Sequence, residues 1–272
     1  MNPTASVILS TYNHPEWLRK VLWGYAHQTH RSFELIIADD GSDDRTAAVI
    51  QWALRETELS IRHVWQSDQG FRKCEALNRG IEASKSNYLI FSDGDCVPRR
   101  DFVGQHLLHR RSGRFLSGGY YKLPMELSRS MSLGEIGNGS AFTLSYLRRG
   151  GVRRSARDLR VVTSGWSAAL CNRLTTTRAT WNGNNSSGWK SDLVRAGGFD
   201  TRMRYGGQDR ELGERLVNAG LRGQHVRFQT LVLHLDHGRG YANPIDRAVN
   251  LQIRAETRRS GTAVTKYGLK AA

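Results

Sequence analysis

One segment indicates the architecture of this chain most directly: Tyr88-Leu89-Ile90-Phe91-Ser92-Asp93-Gly94-Asp95-Cys96. Its apolar residues predict a buried strand, and two carboxylates, Asp93 and Asp95, follow at the C-terminal end with one glycine between them. In an open α/β sheet, ligands collect outside the carboxyl ends of the strands, where carboxylates commonly bind a divalent cation that holds a phosphate. Asp-Gly pairs also end strands in simple turns, so this segment alone leaves both a metal site and a turn open.

The first hundred residues alternate between strand-like and helix-like segments. The predicted strands are Ala5–Thr11, Phe33–Asp40, Ser60–Trp65 and Asn87–Asp93. Apolar residues at helical spacing predict helices around Trp17–Tyr25, Ala47–Leu54 and Cys74–Ile81, with Ser42 as the cap of the second. This alternation predicts an α/β fold with a Rossmann-like, mostly parallel sheet and helices on both faces.

The pattern is less regular after Pro98. Residues 113–146 are rich in glycine and serine, and the segment from Arg148 to Arg178 contains eight arginines and a single acid, Asp158. We expect this middle section to be irregular, partly mobile and exposed. Further along, the sequence predicts a helix over Gln208–Ala219, one strand over His225–Leu235 and a basic helix over Pro244–Arg259.

Composition narrows the protein classes. The chain has 272 residues, 39% of them hydrophobic, and no apolar run approaches the roughly 20 residues that span a bilayer. The N-terminus lacks the features of a signal peptide, and Cys74, Cys96 and Cys171 are too few for a disulfide framework or a zinc site, so we expect a cytoplasmic protein. The net charge of +15 favours polyanionic partners such as nucleic acid, anionic lipid or phosphorylated substrates. Glycine-rich phosphate loops are absent after the first strand, which argues against a dinucleotide dehydrogenase or a P-loop ATPase.

Several motifs occur in an order that resembles family 2 glycosyltransferases of the GT-A fold. In the first half they are Ser6–Asn13, Ile36–Ser42, Gln69–Lys73, Leu77–Gly80 and Tyr88–Asp95. In the second half they are Gly197–Asp200, Gly206–Leu212 and the pair His234 and His237, which resemble the C-terminal region of a galactosyltransferase. The resemblance implies a nucleotide-sugar-binding half in residues 1–112, an irregular acceptor-binding and catalytic half of the same GT-A domain in residues 113–243, and a basic helix and tail in residues 244–272.

The resemblance also implies a binding site for a nucleotide-sugar donor, expected to be a uridine one. The expected donor-binding residues are Thr11, Asp39, Asp40, Arg72 and Asp93. Asp39 or Asp40 would accept hydrogen bonds from the base or the ribose, because a carboxylate only accepts them. Arg72, with Lys73 beside it, would contact the nucleotide or the diphosphate.

A metal site is a further implication of the resemblance. Asp95 is the expected direct ligand of Mn²⁺ or Mg²⁺, with Asp93 supporting the ribose or the water ligands of the metal. His234 stands at the end of a predicted strand where the family has a metal-binding histidine, and His237 is the second candidate. Imidazole beside carboxylate favours Mn²⁺ over Mg²⁺.

Asp209 is the expected catalytic base. It opens a predicted helix, whose dipole favours an ionised carboxylate, and Gly206-Gly207 before it allow a sugar to approach the backbone closely. The family usually has an acidic pair here, whereas this chain has Gln208-Asp209. A single base opposite the leaving group implies direct displacement with inversion at the anomeric carbon, while a simple helix cap is the alternative role for Asp209.

The sequence therefore predicts a metal-dependent, inverting glycosyltransferase that acts on a glycan or a lipid-linked acceptor in bacterial surface polysaccharide or lipopolysaccharide assembly. Because neither a membrane span nor a Gln-x-x-Arg-Trp element is seen, we expect an enzyme that adds one sugar or acts as one module in glycan assembly. The arginine excess is either a solvated face or a contact with an anionic acceptor or the inner leaflet of the membrane. Two alternatives are a non-catalytic nucleotide-sugar-binding scaffold and, from charge alone, a nucleic-acid-binding protein. No nucleic-acid partner is expected, because no recognised module is present.

Overall fold

Strands of the described residues form two sheets. A computed structural model describes residues 2–238, 240 and 243–269. The strands are β1 (Ala5–Thr11), β2 (Phe33–Asp39), β3 (Ile61–Trp65), β4 (Tyr88–Asp93), β5 (Cys96–Pro98), β6 (Arg114–Ser117), β7 (Gly119–Lys122), β8 (Ser186–Trp189), β9 (Arg222–His225) and β10 (Leu231–His234).

Helices connect and cover these strands. They are α1 (Pro15–Ala26), α2 (Asp44–Glu56), α3 (Lys73–Ala83), α4 (Phe102–His109), α5 (Met125–Ser130), α6 (Leu133–Gly137), α7 (Leu144–Arg149), α8 (Leu159–Val162), α9 (Gly165–Arg173), α10 (Lys190–Arg195), α11 (Gln208–Asn218) and α12 (Pro244–Ser260). None of the helices in the described part of the chain combines the length and the apolar character that a membrane crossing requires.

The larger sheet has seven strands in the order β3-β2-β1-β4-β8-β6-β9. Its pairs are parallel except those of β8, which runs antiparallel to both β4 and β6. The smaller sheet has the order β5-β10-β7, with β10 antiparallel to β5 and parallel to β7. The predicted α/β architecture with a mostly parallel sheet is therefore confirmed, and strands from both halves of the chain build the larger sheet.

Strand β1 shows how the sequence places helices on both faces of this sheet. Val7 and Leu9 point into one hydrophobic core with helix α1, whereas Ile8 points into the opposite core with α3 and α11. Alternate residues of a strand face opposite sides, and a parallel sheet is buried on both, so β1 reads as a continuous apolar run. The predicted first helix buries Trp17, Leu18, Val21, Leu22 and Tyr25 as one stripe.

Two predicted local features differ from the structure. Helix α2 begins at Asp44 with Asp43 as its N-cap, so the prediction that Ser42 caps it is wrong; the Ser42 hydroxyl instead accepts the Asn13 N–H over 3.0 Å. The predicted single strand over His225–Leu235 is two strands, β9 and β10, that join different sheets. A turn through Gln229 separates them, because the chain must change sheets there.

The middle section is also more ordered than predicted up to its first arginines. Residues 113–147 contain β6, β7 and α5, α6 and part of α7. They bury a set of apolar side chains in the core beside α1: Tyr121, Leu123, Leu127, Met131, Ile136, Phe142, Tyr146 and Leu147. The glycines and serines mark short loops between these elements rather than one irregular segment. Residues 148–178, by contrast, are mostly exposed, as predicted.

Candidate active site

The carboxyl ends of β1 and β4 meet at one edge of the larger sheet. In the parallel register Ser10 lies beside Asp93. The Ser10 hydroxyl donates to Asp93 Oδ1 over 2.6 Å, and the Gly94 N–H donates to the Ser10 carbonyl over 2.8 Å. These hydrogen bonds hold the turn that carries Asp95, so the Asp93-Gly94-Asp95 element is a structured part of the sheet edge.

A cluster of three potential metal ligands lies next to this turn. Strand β10 pairs with β5 so that His234 faces Cys96, the neighbour of Asp95. His237 Nε2 lies 2.8 Å from Asp95 Oδ2, and His234 Nε2 lies 3.8 Å from the same oxygen. The ligand atoms of the three residues all lie within 4.8 Å of one another.

The chemistry of this cluster fits a divalent cation. Burial alone would raise the pKa of the Asp95 carboxyl, but the hydrogen bond from His237 and the charges of His234 and His237 lower it to about 2. The carboxylate is thus ionised at neutral pH. One carboxylate with two imidazoles is a donor set suited to a transition metal such as Mn²⁺.

Two side chains that the sequence analysis missed border the cluster. The His14 ring centroid lies 5.5 Å from that of His237, and the Tyr120 ring centroid lies 5.9 Å from that of His234. Burial and, after it, the charge of His237 lower the pKa of His14. The available sequence signal for His14 was its position in the loop directly after β1, at the ligand-binding edge of the sheet.

Of the two neighbouring cations Arg72 and Lys73, the lysine points into the site. Lys73 Nζ lies 2.7 Å from Asp93 Oδ1. Burial would lower the pKa of Lys73, but the charges of Asp93 and Asp209 outweigh it and hold that pKa above its usual value. The Arg72 guanidinium instead donates to the Glu75 carboxylate over 3.0 Å and to the Ser67 carbonyl over 2.6 Å.

The paired carboxylates after β2 have different surroundings. Asp39 is buried and accepts the Ser42 N–H over 2.8 Å, while its other oxygen lies 2.8 Å from His63 Nε2. Asp40 accepts the Gln66 side-chain amide and the Arg72 backbone N–H, each over 2.7 Å. Burial outweighs these hydrogen bonds and raises the pKa of Asp40 to about 6.

Asp209 lies in the first turn of α11. Gly206 and Gly207 precede it with φ of 106° and 94°, a backbone conformation that glycine adopts without strain. Burial raises the pKa of Asp209, opposed by the charge of Lys73, and the buried Oδ1 of Asp209 has no hydrogen-bond partner among the described residues. A methyl group at Gly183 would lie 2.5 Å from that oxygen, so the loop through Gly183 packs directly against the carboxylate.

Two adjoining cavities meet at Asp209. The smaller, of about 370 Å³, contains seven of the nine residues predicted for the site: Thr11, Asp40, Asp93, Asp95, Asp209, His234 and His237. Among the described residues, Asp39 and Arg72 border neither this cavity nor the wider one of about 700 Å³. The two cavities share Asp93, Tyr205 and Asp209. The Asn182–Asn184 loop lines the wider cavity and has no periodic sequence signal that would have predicted it.

Comparison with known sequences supports the resemblance seen in the motifs. Residues 6–130 match the family described as Glycosyl transferase family 2. The chain is 27% identical over 263 residues to chondroitin synthase of Escherichia coli, covering 91% of this chain and 37% of that protein. It is 36% identical over 103 residues to hyaluronan synthase of Pasteurella multocida, covering 38% of this chain and 10% of that protein. The chain thus spans well under half the length of both relatives.

Solved structures share the fold. A mannosyltransferase, PcManGT from Pyrobaculum calidifontis in complex with GDP-Man and Mn²⁺, has a TM-score of 0.63 and 20% identity, covering 95% of this chain and 65% of that one. Staphylococcal (S. aureus) TarS residues 1–349 in complex with UDP-GlcNAc has a TM-score of 0.61 and 13% identity, covering 94% of this chain and 66% of that one.

Proposed function

Because this chain belongs to family 2 of the glycosyltransferases and has the GT-A fold, we propose that it moves one sugar from a nucleotide donor to an acceptor hydroxyl with inversion. The observation that carries this proposal is the position of Asp209 at the junction of two cavities, with one carboxylate oxygen that has no hydrogen-bond partner in the described part of the chain. The smaller cavity is lined by hydrogen-bond-accepting carboxylates and a lysine, which suit a nucleoside diphosphate. The wider cavity is open for a second substrate.

The proposed donor is a uridine nucleotide sugar. Asp40 lines the smaller cavity and, when ionised, only accepts hydrogen bonds, which suits a base N–H. Thr11 and Asp93 line the same cavity, with Asp93 assigned to the ribose or to water on the metal. Asp39 and Arg72 do not line the cavity and would support the donor site indirectly. Asp39 accepts a hydrogen bond from the turn after β2, and the Arg72 N–H donates to Asp40. TarS has been solved with UDP-GlcNAc and PcManGT with GDP-Man, so both base types occur in this fold.

Asp95, His234 and His237 are the residues that would hold Mn²⁺ or, less suited to imidazole, Mg²⁺. Such an ion neutralises the charge that grows on a departing diphosphate. Lys73 adds a fixed positive charge close to Asp93 and Asp209, in the same part of the cavity.

Asp209 is the proposed general base. Its burial raises its pKa and so makes it a better proton acceptor than an exposed aspartate, while the charge of Lys73 opposes that rise and favours the ionised form. An acceptor hydroxyl in the wider cavity would lose its proton to Asp209 and attack the anomeric carbon from the face opposite the diphosphate. This geometry of attack inverts the configuration at the anomeric carbon. The part of the chain from Gly197 onward, which resembles a galactosyltransferase, would contribute to the binding site for the acceptor. A scaffold without catalysis would not require the unpartnered carboxylate oxygen of Asp209.

The proposed acceptor is a glycan or a lipid-linked saccharide of bacterial surface polysaccharide or lipopolysaccharide assembly, handled at the cytoplasmic side of the membrane. Peripheral contact with an anionic membrane is supported by a row of exposed apolar side chains in the arginine-rich segment. Trp166, Leu170 and Leu174 are 80%, 46% and 69% exposed and follow one another at helical spacing on and just after α9. Exposed apolar side chains in an arginine-rich segment are typical of surfaces that bind at the lipid interface.

Thermal stability in the presence of UDP-, GDP- and dTDP-sugars, with and without Mn²⁺, tests this function. A donor that binds only the folded protein raises its melting temperature, and we expect the largest rise with a UDP-sugar and Mn²⁺ together. The stabilising donor is then incubated with acceptor mixtures, and transfer is followed by release of the nucleoside diphosphate. Absence of stabilisation by every donor, with Mn²⁺ present, would contradict the proposal.

A further inference from the structure

One wall of the wider cavity beside Asp209 is basic. Helix α12 contributes Pro244, Arg247, Leu251 and Arg254 to this wall. Their spacing of three, four and three residues places them on one face of the helix, so α12 presents two guanidinium groups to the cavity. Arg210, the residue after the proposed base, adds a third from α11.

Two of these three arginines have no acidic partner within the part of the chain that the structure describes. Arg254 pairs with Glu214 over 2.6 Å, and the same carboxylate also pairs with Arg258 over 3.1 Å. Among the described residues, neither Arg210 nor Arg247 forms an ion pair with any acid. One glutamate therefore serves two arginines of α12, and positive charge at the cavity remains unneutralised.

The acids that line the wider cavity offset only part of this charge, through the interaction of Asp209 with Arg210. Within the described part of its lining they are Asp93 and Asp209. Asp93 is already paired with Lys73 over 2.7 Å. Asp209 is the proposed base, at the junction with the donor cavity. The basic wall is thus available to an anionic group of a second substrate.

We propose that the wider cavity binds an acceptor saccharide that carries an anionic group, a carboxylate or a phosphate, next to the sugar whose hydroxyl is glycosylated. This inference rests on the proposed function and specifies the substrate class of the same site. Arginine suits the role because its planar guanidinium binds carboxylate and phosphate oxygens in pairs. The Tyr120 side chain, 40% exposed, gives the cavity an aromatic face on which a sugar ring can pack.

A matched set of probes tests this proposal. Methyl β-glucuronide and methyl β-glucoside differ only in a carboxylate against a hydroxymethyl group, and glucose 6-phosphate carries the alternative anion. Binding of each is measured by ligand-observed NMR to the full chain with UDP and Mn²⁺. We expect at least one anionic probe to bind about tenfold more tightly than the glucoside, a difference of about 1.4 kcal/mol. Which anion is preferred distinguishes an acidic sugar from a phosphorylated one.

Variants of α12 locate the effect. Arg247→Gln, alone and with Arg210→Gln, is expected to reduce the preference for the anionic probe to less than about threefold, and Arg247→Lys to restore part of it. Arg259→Gln is the matched control, because it removes the same charge from the same helix outside the cavity. Equal binding of anionic and neutral probes, binding of none of them, or an unchanged preference in the double variant would overturn the proposal. UDP binding measured on the same samples is independent of these arginines, so its loss would count against the proposed function instead.

Discussion

Lys73 Nζ lies 2.7 Å from Asp93 Oδ1, and the charge of this lysine also acts on Asp209. Asp93 ends strand β4 and Asp209 lies in the first turn of helix α11, so one cation joins the predicted nucleotide half of the site to the proposed base. Lys73 is the first residue of α3, and the backbone N–H of the preceding residue, Arg72, donates to Asp40. The start of α3 therefore positions two parts of the donor cavity at once.

Removal of the Lys73 charge should shift the pH profile of the reaction. The lysine lowers the pKa of Asp209, so Lys73→Gln raises that pKa further. A base must be deprotonated to act, and the acidic limb of the kcat profile is expected to move to higher pH in the variant. Steady-state rates between pH 5 and 9 measure the limb, with the exposed Lys85→Gln as control. An unmoved limb would argue that Asp209 is not the titrating base.

Asp209→Asn should abolish most of the transfer while leaving donor binding intact. Asparagine has nearly the same shape but takes no proton, and loss of a general base typically costs about 10²–10⁴-fold in kcat. Nucleotide binding measured by calorimetry is expected to change little. If the variant retained normal kcat, Asp209 would be limited to a structural role at the start of α11.

The affinity for uridine should depend on pH through Asp40. Its pKa is raised to about 6 by burial, and the ionised form is the one that accepts a base N–H. Uridine affinity is therefore expected to increase as pH rises through about 6 and to be weak at pH 5. Uridine lacks phosphates, so calorimetry without metal isolates this contact. Asp40→Asn should bind uridine weakly and independently of pH. If uridine binding by this variant still depended on pH, a group other than Asp40 would be responsible.

Buried His106 should make the stability depend on pH. It lies 2.8 Å from Ser187 Oγ and 3.0 Å from Asn185 Oδ1, and burial lowers its pKa to about 3. The unfolded chain has a histidine pKa of about 6.5, so between these values the unfolded state binds the extra proton. The free energy of unfolding is expected to fall by about 1.4 kcal/mol for each pH unit below 6.5 because of this group. His106→Gln should show a correspondingly shallower slope in urea unfolding at pH 4.5–7.5, whatever its absolute stability.

The exposed apolar row should contribute to membrane binding. Replacing Trp166, Leu170 and Leu174 by serine removes apolar surface, each side chain being worth about 1.5–3 kcal/mol when fully buried. Co-sedimentation with phosphatidylglycerol vesicles is expected to weaken at least about tenfold. The control is Leu108→Ser, because the Leu108 side chain is 72% exposed but lies on α4, away from this row in the sequence. Equal sedimentation of the triple variant and the control would rule out this surface as the contact.

Local sequence patterns predicted the first half of the fold well. Strand β1 has the predicted bounds, and β2, β3 and β4 begin or end within one residue of theirs. The pattern failed for β8, Ser186–Trp189, because a short strand of serines and a glycine has no alternation of apolar and polar residues. It also failed for residues 113–147, where helices of about six residues depend on the core they pack against rather than on their own propensity.

In the site, the sequence by itself determined which residues lie at the carboxyl edge of the sheet, because strand periodicity and turn residues are local properties. It identified Asp93 and Asp95 and Asp40 in this way, whereas Asp209, in the first turn of α11, was identified through the resemblance to the family. Only the tertiary structure decided that Lys73 rather than Arg72 faces Asp93, since the first turn of α3 sets the direction of both side chains. The approach of His237 to Asp95 within 2.8 Å likewise depends on β10 pairing with β5, a contact between segments far apart in the chain that no local pattern specifies.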